Sequence, residues 1–356
     1  MTLEASDIPH RRYNPLRQSW VLVSPHRAKR PWQGQQEEPT KDTKPEYDDK
    51  CYLCPRNARI NGELNPDYRD TFVFENDFSA VFEQTAEVDQ VVEKAEEAKK
   101  TLGKESSDLE TDLFRKDNVF GYCQVICFSP KHNVTLATMS VEQIEKVIET
   151  WQKMYTEAQS RGIKYSLIFE NKGATMGCSN PHAHGQVWNT SVVPEEPQME
   201  YDSLKKYKDE KNRDLLVDYV NLELAKNERI VYQNASFLVV VPYWAVWPFE
   251  TMIVSKERVS SIKKLSSAQV EHLADAISVL TKKYDKLFNT SFPYSMGIHQ
   301  SFVDVEDCPY EHLRLLFYPP LLRSASVKKF QVGFEMLGMP QRDITAEGAA
   351  KRLQEL

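Results

Sequence analysis

Apolar positions repeat one pattern twice along this chain. Ser140-Val141-Glu142-Gln143 reads as a capping box, with Met139 and Ile144 placed as a hydrophobic staple across it. Ile144, Val147, Ile148, Trp151, Met154 and Tyr155 follow at three- and four-residue spacing, which predicts one apolar helical face. Ser266-Ser267-Ala268-Gln269 is a second capping box, stapled by Leu265 and Val270. Its helix presents Val270, Leu273, Ile277, Leu280, Tyr284 and Leu287. Apolar runs predict a strand over 124–128 before the first helix, and strands over 237–242 and 251–254 before the second. Strands over 164–169 and 182–188 follow the first helix, and 294–299 and 313–318 follow the second. The expected class is α+β, a duplicated and mostly antiparallel unit divided into domains 1–193 and 194–356. Strand-helix-strand order is common, so a chance likeness of the halves is the alternative.

Two stretches depart from that pattern. Residues 84–118 are charged and Ala-rich, which predicts an exposed insertion, partly helical at best. Residues 194–230 are polar and fit a connection with one helix.

Composition narrows the class. The chain has 356 residues, enough for about two domains of ordinary size. Its 41% apolar content can bury a core, which excludes a disordered chain. A net charge of -7 argues against a general nucleic-acid binder. No run approaches the roughly 18 apolar residues of a membrane span, and none at the N-terminus reads as a secretion signal. The expectation is a cytoplasmic protein with no membrane partner. Its six cysteines are then free thiols or metal ligands.

Candidate chemistry starts with Cys51-Tyr52-Leu53-Cys54. A lone CxxC is ambiguous among metal binding, redox chemistry and packing, although no βαβ pattern surrounds it to favour a redox motif. His132 and His182 are the best placed residues to complete a closed tetrahedral zinc site, which would be structural. The alternative is a solvated His132 and a core His182. On a strand, His182, His184 and Gln186 share one face. With His182 on zinc, His184 remains free as a neutral imidazole nucleophile, its other ring nitrogen directed by a backbone carbonyl. Gln186 can donate to a phosphoryl oxygen, and the turn Gly177-Cys178-Ser179-Asn180 can add hydroxyl and N–H donors. One such histidine alone would read as a packed strand residue; three polar residues on one face of an apolar strand do not. His26-Arg27-Ala28-Lys29-Arg30 can grip a diphosphate or be a solvated turn.

Longer motifs carry a resemblance. Arg12-Tyr13-Asn14-Pro15-Leu16, Ser24-Pro25-His26-Arg27-Ala28-Lys29-Arg30-Pro31-Trp32, Asn65-Pro66-Asp67-Tyr68, Phe169-Glu170-Asn171-Lys172-Gly173 and Gly177-Cys178-Ser179-Asn180-Pro181-His182 are five of them. Phe317-Tyr318-Pro319-Pro320-Leu321-Leu322-Arg323-Ser324 and Gln341-Arg342-Asp343 continue the set. With these, the chain resembles the galactose-1-phosphate uridylyltransferase family of the histidine-triad-like superfamily, over nearly its whole length outside the insertion.

The resemblance implies two histidine-triad-like units whose antiparallel sheet forms a half-barrel with helices packed on it. It implies transfer of UMP from UDP-glucose to galactose-1-phosphate, giving glucose-1-phosphate and UDP-galactose, with no organic cofactor. His184 would form a uridylyl-histidine, Gln186 would steady the phosphoryl group, and Ser179 would serve the leaving phosphate. Zinc would sit on Cys51, Cys54, His132 and His182. Uridine-diphosphate contacts fall on Arg27, Arg30, Ile60, Asn76, Asp77, Asn171 and Gln186. A homodimer is implied, whose partner segment supplies hexose contacts at Lys329, Phe330, Phe334, Glu335 and Gln341. Phe334 stands where a tyrosine is common. Ala183 replaces the proline of the family's His-Pro-His. Many members hold a second metal, often assigned as iron, on a glutamate and three histidines. Glu200 and His299 match two of these, but Arg314 and Leu316 occupy the others, so one zinc and no second metal are expected. His312 lies two residues from Arg314 as a partial substitute. A transferase for another nucleotide or sugar, and a zinc-organised scaffold without turnover, remain as rival readings.

Overall fold

The first two strands stand apart from the main sheet. β1 (His10–Asn14) and β2 (Ser19–Val23) form an antiparallel hairpin, and β2 also pairs in parallel with Gln341 and Arg342. The structure is a computed structural model that describes residues 8–29, 44–101, 108–306 and 308–356. After β3 (Phe72–Glu75) come α1 (Ala86–Thr101) and α2 (Asp108–Leu113). The charged insertion is therefore more helical than its sequence suggested. Its Ala, Glu and Lys residues are strong intrinsic helix formers, and local propensity decides where no core does.

The repeated pattern forms as predicted. β4 (Gly121–Cys127) leads into α3 (Val141–Ser160), then β5 (Tyr165–Lys172) and β6 (His184–Thr190). The polar connection holds two helices rather than one, α4 (Glu195–Lys211) and α5 (Leu215–Lys226). Asn212, at φ +53°, ends α4 in the left-handed conformation that asparagine tolerates. The second half runs β7 (Ile230–Gln233), β8 (Phe237–Val240), β9 (Thr251–Ser255), α6 (Ser267–Leu287), β10 (Tyr294–His299) and β11 (Arg314–Tyr318). A small hairpin of β12 (Leu321–Ser324) and β13 (Val327–Lys328), then α7 (Phe334–Leu337), β14 (Gln341–Arg342) and α8 (Ala346–Gln354), complete the chain. Ser140 and Ser266 each accept from the backbone N–H three residues on, and Gln143 and Gln269 return the bond.

Nine strands make one open sheet in the order β3-β4-β6-β5-β10-β11-β9-β8-β7, antiparallel at every pairing. The order β3-β4-β6-β5 repeats as β8-β9-β11-β10, so the halves share one connectivity and meet at the β5–β10 pair. That repeat, with a capped helix in the same place in each half, is duplication rather than coincidence. α3 and α6 pack on each other over one face of the sheet, and Trp151, Ile277, Tyr284 and Phe317 belong to the continuous core beneath them.

The other face is treated unequally. In the second half it is covered by a separate apolar cluster, with Leu204, Leu215, Leu216 and Val220 from α4 and α5 against Leu238, Val240, Met252, Val254 and Leu316. In the first half, the β6 residues His184, Gln186 and Trp188 on the equivalent face stay partly exposed. The chain thus builds two like halves of one sheet and leaves open the half that carries the polar row.

Candidate active site

The metal-ligand candidates converge. Cys51, Cys54, His132 and His182 are all buried, and one ligand atom from each lies within 4.8 Å of the others. Cys54 Sγ is 3.5 Å from His182 Nδ1 and 3.7 Å from His132 Nδ1, and Cys51 Sγ is 3.8 Å from His182 Nδ1. Bonds of about 2.3 Å to sulfur and about 2.0 Å to nitrogen put tetrahedral S and N ligands about 3.6 Å apart, so the donor set fits a zinc ion. His182 Nε2 lies 2.7 Å from the Ser129 carbonyl, which fixes that nitrogen as N–H and leaves Nδ1 as the lone pair facing the sulfurs. Asn180 braces the group: its Oδ1 accepts from His182 N at 2.9 Å, and its Nδ2 is 3.5 Å from Cys51 Sγ. Asn57 and Asn65 hold the CxxC loop by donating to the carbonyls of Cys51 and Cys54. Burial pushes the Cys54 thiol up to about 12, so that sulfur needs a cation before it ionises.

One expectation needs correction. His182 lies in the bend before β6, not on the strand, so its ring does not share a strand face with His184. The bend turns the imidazole of His182 into the buried metal group, at 0% exposure, and turns its carbonyl toward His184. That carbonyl is 2.8 Å from His184 Nδ1. Nδ1 therefore carries the proton, and Nε2 is the free lone pair. Burial lowers the proton affinity of His184, against the pull of the His182 carbonyl, so the ring stays neutral.

Sterics hold the strand at this point. A Cβ on Gly185 would lie 2.9 Å from the Phe128 ring and 3.0 Å from the Phe169 carbonyl. Only glycine lets β6 approach so closely between His184 and Gln186.

A small polar cavity is lined by Asn171, Gly177, Cys178, Ser179, His184, Gly185 and Gln186. It shares Asn171, Ser179 and His184 with a larger one of about 540 Å³ that extends to Lys44, Glu170 and Lys172. The structure thus brings His184, Gln186, Ser179 and Asn171 together. Arg27, Ile60, Asn76 and Asp77 do not line either cavity. Arg27 is half exposed with Nε 3.6 Å from Asp343, and Ile60 is exposed. Asn76 Oδ1 accepts from Phe78 N, and Asp77 lies 4.0 Å from Arg59. Arg30 falls outside the described residues. Lys329 pairs with Glu335, Gln341 is buried on β14, and Phe330 and Phe334 are exposed at 64% and 54%; none of the five lines the two cavities.

Sequence reasoning passed over Glu170 and Lys172. Both are charged, yet they occupy buried positions of β5. Tyr294 donates to Glu170 at 3.0 Å, and Lys172 pairs with Asp285 at 2.8 Å. Burial outweighs Lys172 and Tyr294 and pushes Glu170 up to about 7. Charge at alternate positions of an otherwise apolar run was the available signal.

The second half carries a different group at the matching place. By strand register Arg314 opens β11 opposite His299, as His184 opens β6 near Asn171. Arg314 is fully buried, bonded to Glu200 through Nε and Nη2 and to Glu311 at 3.2 Å through Nη1. His299 Nδ1 lies 2.7 Å from the same Glu200 oxygen. Burial opposes the Glu200 charge, but Arg314 and His299 outweigh it and hold the carboxyl well below the usual range. His312 Nε2 lies 2.7 Å from the Ser255 carbonyl, repeating the arrangement of His182 and Ser129. Leu316 belongs to the apolar cluster under α4 and α5. A guanidinium between two carboxylates and a leucine side chain do not fit a metal ion.

Comparison with known proteins is direct. Residues 1–194 match the galactose-1-phosphate uridyl transferase N-terminal domain, and residues 200–356 match its C-terminal domain. Galactose-1-phosphate uridylyltransferase of Schizosaccharomyces pombe is 52% identical, over 99% of this chain and 95% of that one. The enzymes of Haemophilus influenzae and Kluyveromyces lactis are 51% and 50% identical, over 99% and 100% of this chain and 96% and 95% of their own. Among solved structures, an ADP-glucose phosphorylase from Arabidopsis thaliana with bound ADP-glucose superposes with a TM-score of 0.72 at 25% identity, over 98% of this chain and 99% of that one. A uridylyltransferase structure superposes at 0.71 with 24% identity, over 98% of each chain, and shows the same fold.

Proposed function

The chain belongs to the galactose-1-phosphate uridylyltransferase family and is a uridylyltransferase of galactose metabolism; on that premise we propose that it works through a covalent uridylyl-histidine on His184. The observation that carries this reading is the bond from His184 Nδ1 to the His182 carbonyl, which leaves Nε2 as a lone pair beside a polar cavity.

In the first step Nε2 attacks the α-phosphorus of UDP-glucose. A P–N bond forms, the P–O bond to the β-phosphate breaks, and glucose-1-phosphate leaves with the electron pair. The imidazole becomes cationic, and the His182 carbonyl stabilises the Nδ1–H that carries part of that charge. In the second step a phosphate oxygen of galactose-1-phosphate attacks the same phosphorus, the P–N bond breaks, and UDP-galactose forms. Gln186 and Asn171 donate to the non-bridging oxygens as charge develops, and the Ser179 hydroxyl serves the departing phosphate.

Cys51, Cys54, His132 and His182 would hold one structural zinc. When bound, the ion ties the CxxC loop to His182 and so to the carbonyl that directs His184. In our reading Arg314 and Leu316 leave the second half without a metal of its own. The exposed Phe330 and Phe334 support a homodimer, in which the 329–341 segment of one copy completes the hexose site of the other and Arg27, Ile60, Asn76 and Asp77 meet the nucleotide. The domains divide near residue 194, although one sheet runs through both. None of the six cysteines is in a disulfide and two face a metal-ligand group, which supports a cytoplasmic setting; among the described residues no helix is long and apolar enough to cross a membrane.

The test is to incubate the protein with UDP-glucose labelled in its α-phosphate, then denature and digest it. Label is expected on a peptide containing His184, and His184→Ala should lose both label and exchange. Full turnover by His184→Ala, or a zinc-loaded protein without exchange, would overturn the reading. The likeness to an ADP-glucose phosphorylase makes ADP-glucose the control donor; faster exchange with it than with UDP-glucose would move the assignment to adenylyl transfer.

A further inference from the structure

Two carboxamides line the cavity at His184, and each has its carbonyl oxygen held by another side chain. The Trp188 indole N–H donates to Gln186 Oε1 at 3.1 Å. The Ser295 hydroxyl donates to Asn171 Oδ1 at 2.7 Å. An indole N–H has no acceptor capacity, so it can bind only the oxygen of the Gln186 amide. With the oxygen held there, the amide nitrogen lies at the other end of the group.

We propose that Trp188 and Ser295 are positioning residues for the two carboxamides, the Trp188 N–H fixing the polarity of Gln186 and the Ser295 hydroxyl anchoring the Asn171 amide by its oxygen, so that both turn N–H donors toward the transferring phosphoryl group. The inference rests on the reading of those two amides as phosphoryl contacts. A carboxamide left to itself rotates, and half of its orientations present a carbonyl oxygen to an anionic ligand. An oxygen dipole facing a phosphate repels it, whereas preset N–H donors need no reorganisation as charge develops.

The fold supports both clamps. Trp188 follows Gln186 by two residues on β6 and so stands on the same face. Its ring packs edge-on against Phe169 of β5, with centroids 5.8 Å apart. Ser295 lies on β10, directly opposite Asn171 of β5. One clamp therefore comes from the second half of the chain, across the strand pair where the halves meet. His184 completes the pattern: its own far nitrogen is held by the His182 carbonyl. Each of the three groups has one end engaged by the protein.

The test uses the full-length, metal-loaded protein and two double-mutant cycles. Trp188→Phe keeps an aromatic ring against Phe169 and removes the N–H together with the pyrrole ring that carries it, a packing change that the thermal midpoint reads; Ser295→Ala removes only the hydroxyl. Each is combined with removal of its amide, Gln186→Ala or Asn171→Ala, and kcat and KM for UDP-glucose are measured beside the thermal midpoint. Loss of one directing hydrogen bond is expected to lower kcat roughly 3- to 10-fold, with little change in KM or midpoint. Each double variant should be no slower than its amide variant alone, because the clamp acts only through the amide. Ser295→Thr should restore activity. Impaired amide variants beside fully active Trp188→Phe and Ser295→Ala would overturn the inference, as would losses that multiply in the double variants. If Gln186→Ala and Asn171→Ala are themselves fully active, the phosphoryl-contact reading is the one that fails.

Discussion

The carbonyl oxygen of His182 lies 2.8 Å from Nδ1 of His184. One residue thus serves two sites: its ring faces two buried cysteine sulfurs, and its backbone selects the tautomer of the neighbouring imidazole. On the proposed mechanism, metal binding and nucleophile orientation are joined through the backbone of one residue, without any intervening side chain.

Asn180 braces that junction by bonding the His182 N–H and lying against Cys51 Sγ. Asn180→Ala should weaken zinc binding about 10- to 100-fold, the usual cost of losing an outer-shell partner. Competition with a chromophoric chelator measures this, and an unchanged affinity would remove Asn180 from the site. Exchange activity should fall in parallel and recover in excess zinc.

Gly185→Ala should destabilise the protein by about 1–3 kcal/mol, because the added methyl meets both the Phe128 ring and the Phe169 carbonyl. Urea unfolding followed by tryptophan fluorescence gives the value. Exchange should drop more than stability alone explains, since the strand that shifts carries His184 and Gln186. A variant of wild-type stability would show that β6 has room to move.

Arg314→Met should cost about 3–5 kcal/mol, because it leaves Glu200 and Glu311 buried without their shared cation. Adding Glu200→Gln should recover part of that loss by removing one orphaned charge. Elemental analysis of the wild type should find about one zinc per chain and no second stoichiometric metal. Two tightly held metals would refute the reading of Arg314 as the resident cation.

Glu170 predicts a pH dependence of stability. Its folded pKa, about 7, lies above the ordinary carboxylate value of 4.5, so the folded state binds the proton more tightly than the unfolded state. Stability should therefore be highest below about pH 4.5 as far as this group is concerned, and decline as pH rises from there through about 7, with a slope of at most about 1.4 kcal/mol per pH unit. Burial drives this rise, opposed by Lys172 and by Tyr294, which donates to the carboxyl, and aided by Asp285, which pairs with Lys172. Glu170→Gln should flatten the decline in urea titrations between pH 5 and 7; an unchanged slope would show that the group is ionised throughout.

Local signals made much of the fold legible. Ser140 and Ser266 announce their helices because a capping box is closed within four residues, and the apolar stripes that follow need only helical periodicity. The four metal-ligand residues and His184 could be read as types and spacings. The second helix of the connection could not, since a left-handed break at Asn212 is permitted rather than required by its sequence. Nor could the bend at His182, where an apolar-flanked alternation suggested continuous strand but the bonds that His182 donates to Asn180 and Ser129 pull the residue out of line.

The chain by itself determined two like runs of strands, each with a capped helix, because caps and apolar periodicity depend on near neighbours. Only the tertiary structure decided which half of the sheet keeps an open, polar face. α4 and α5 lie over one face of the second half and bury Leu316 there, while the same face of the first half stays open around His184 and Gln186. Arg314 finds its carboxylates from α4 and from the segment before β11, and Asn171 finds Ser295 across the central strand pair. Glu200 and Ser295 are remote in sequence from the groups they satisfy, and burial makes the choice: a charge or amide taken from water must be satisfied by whatever the packing brings to it.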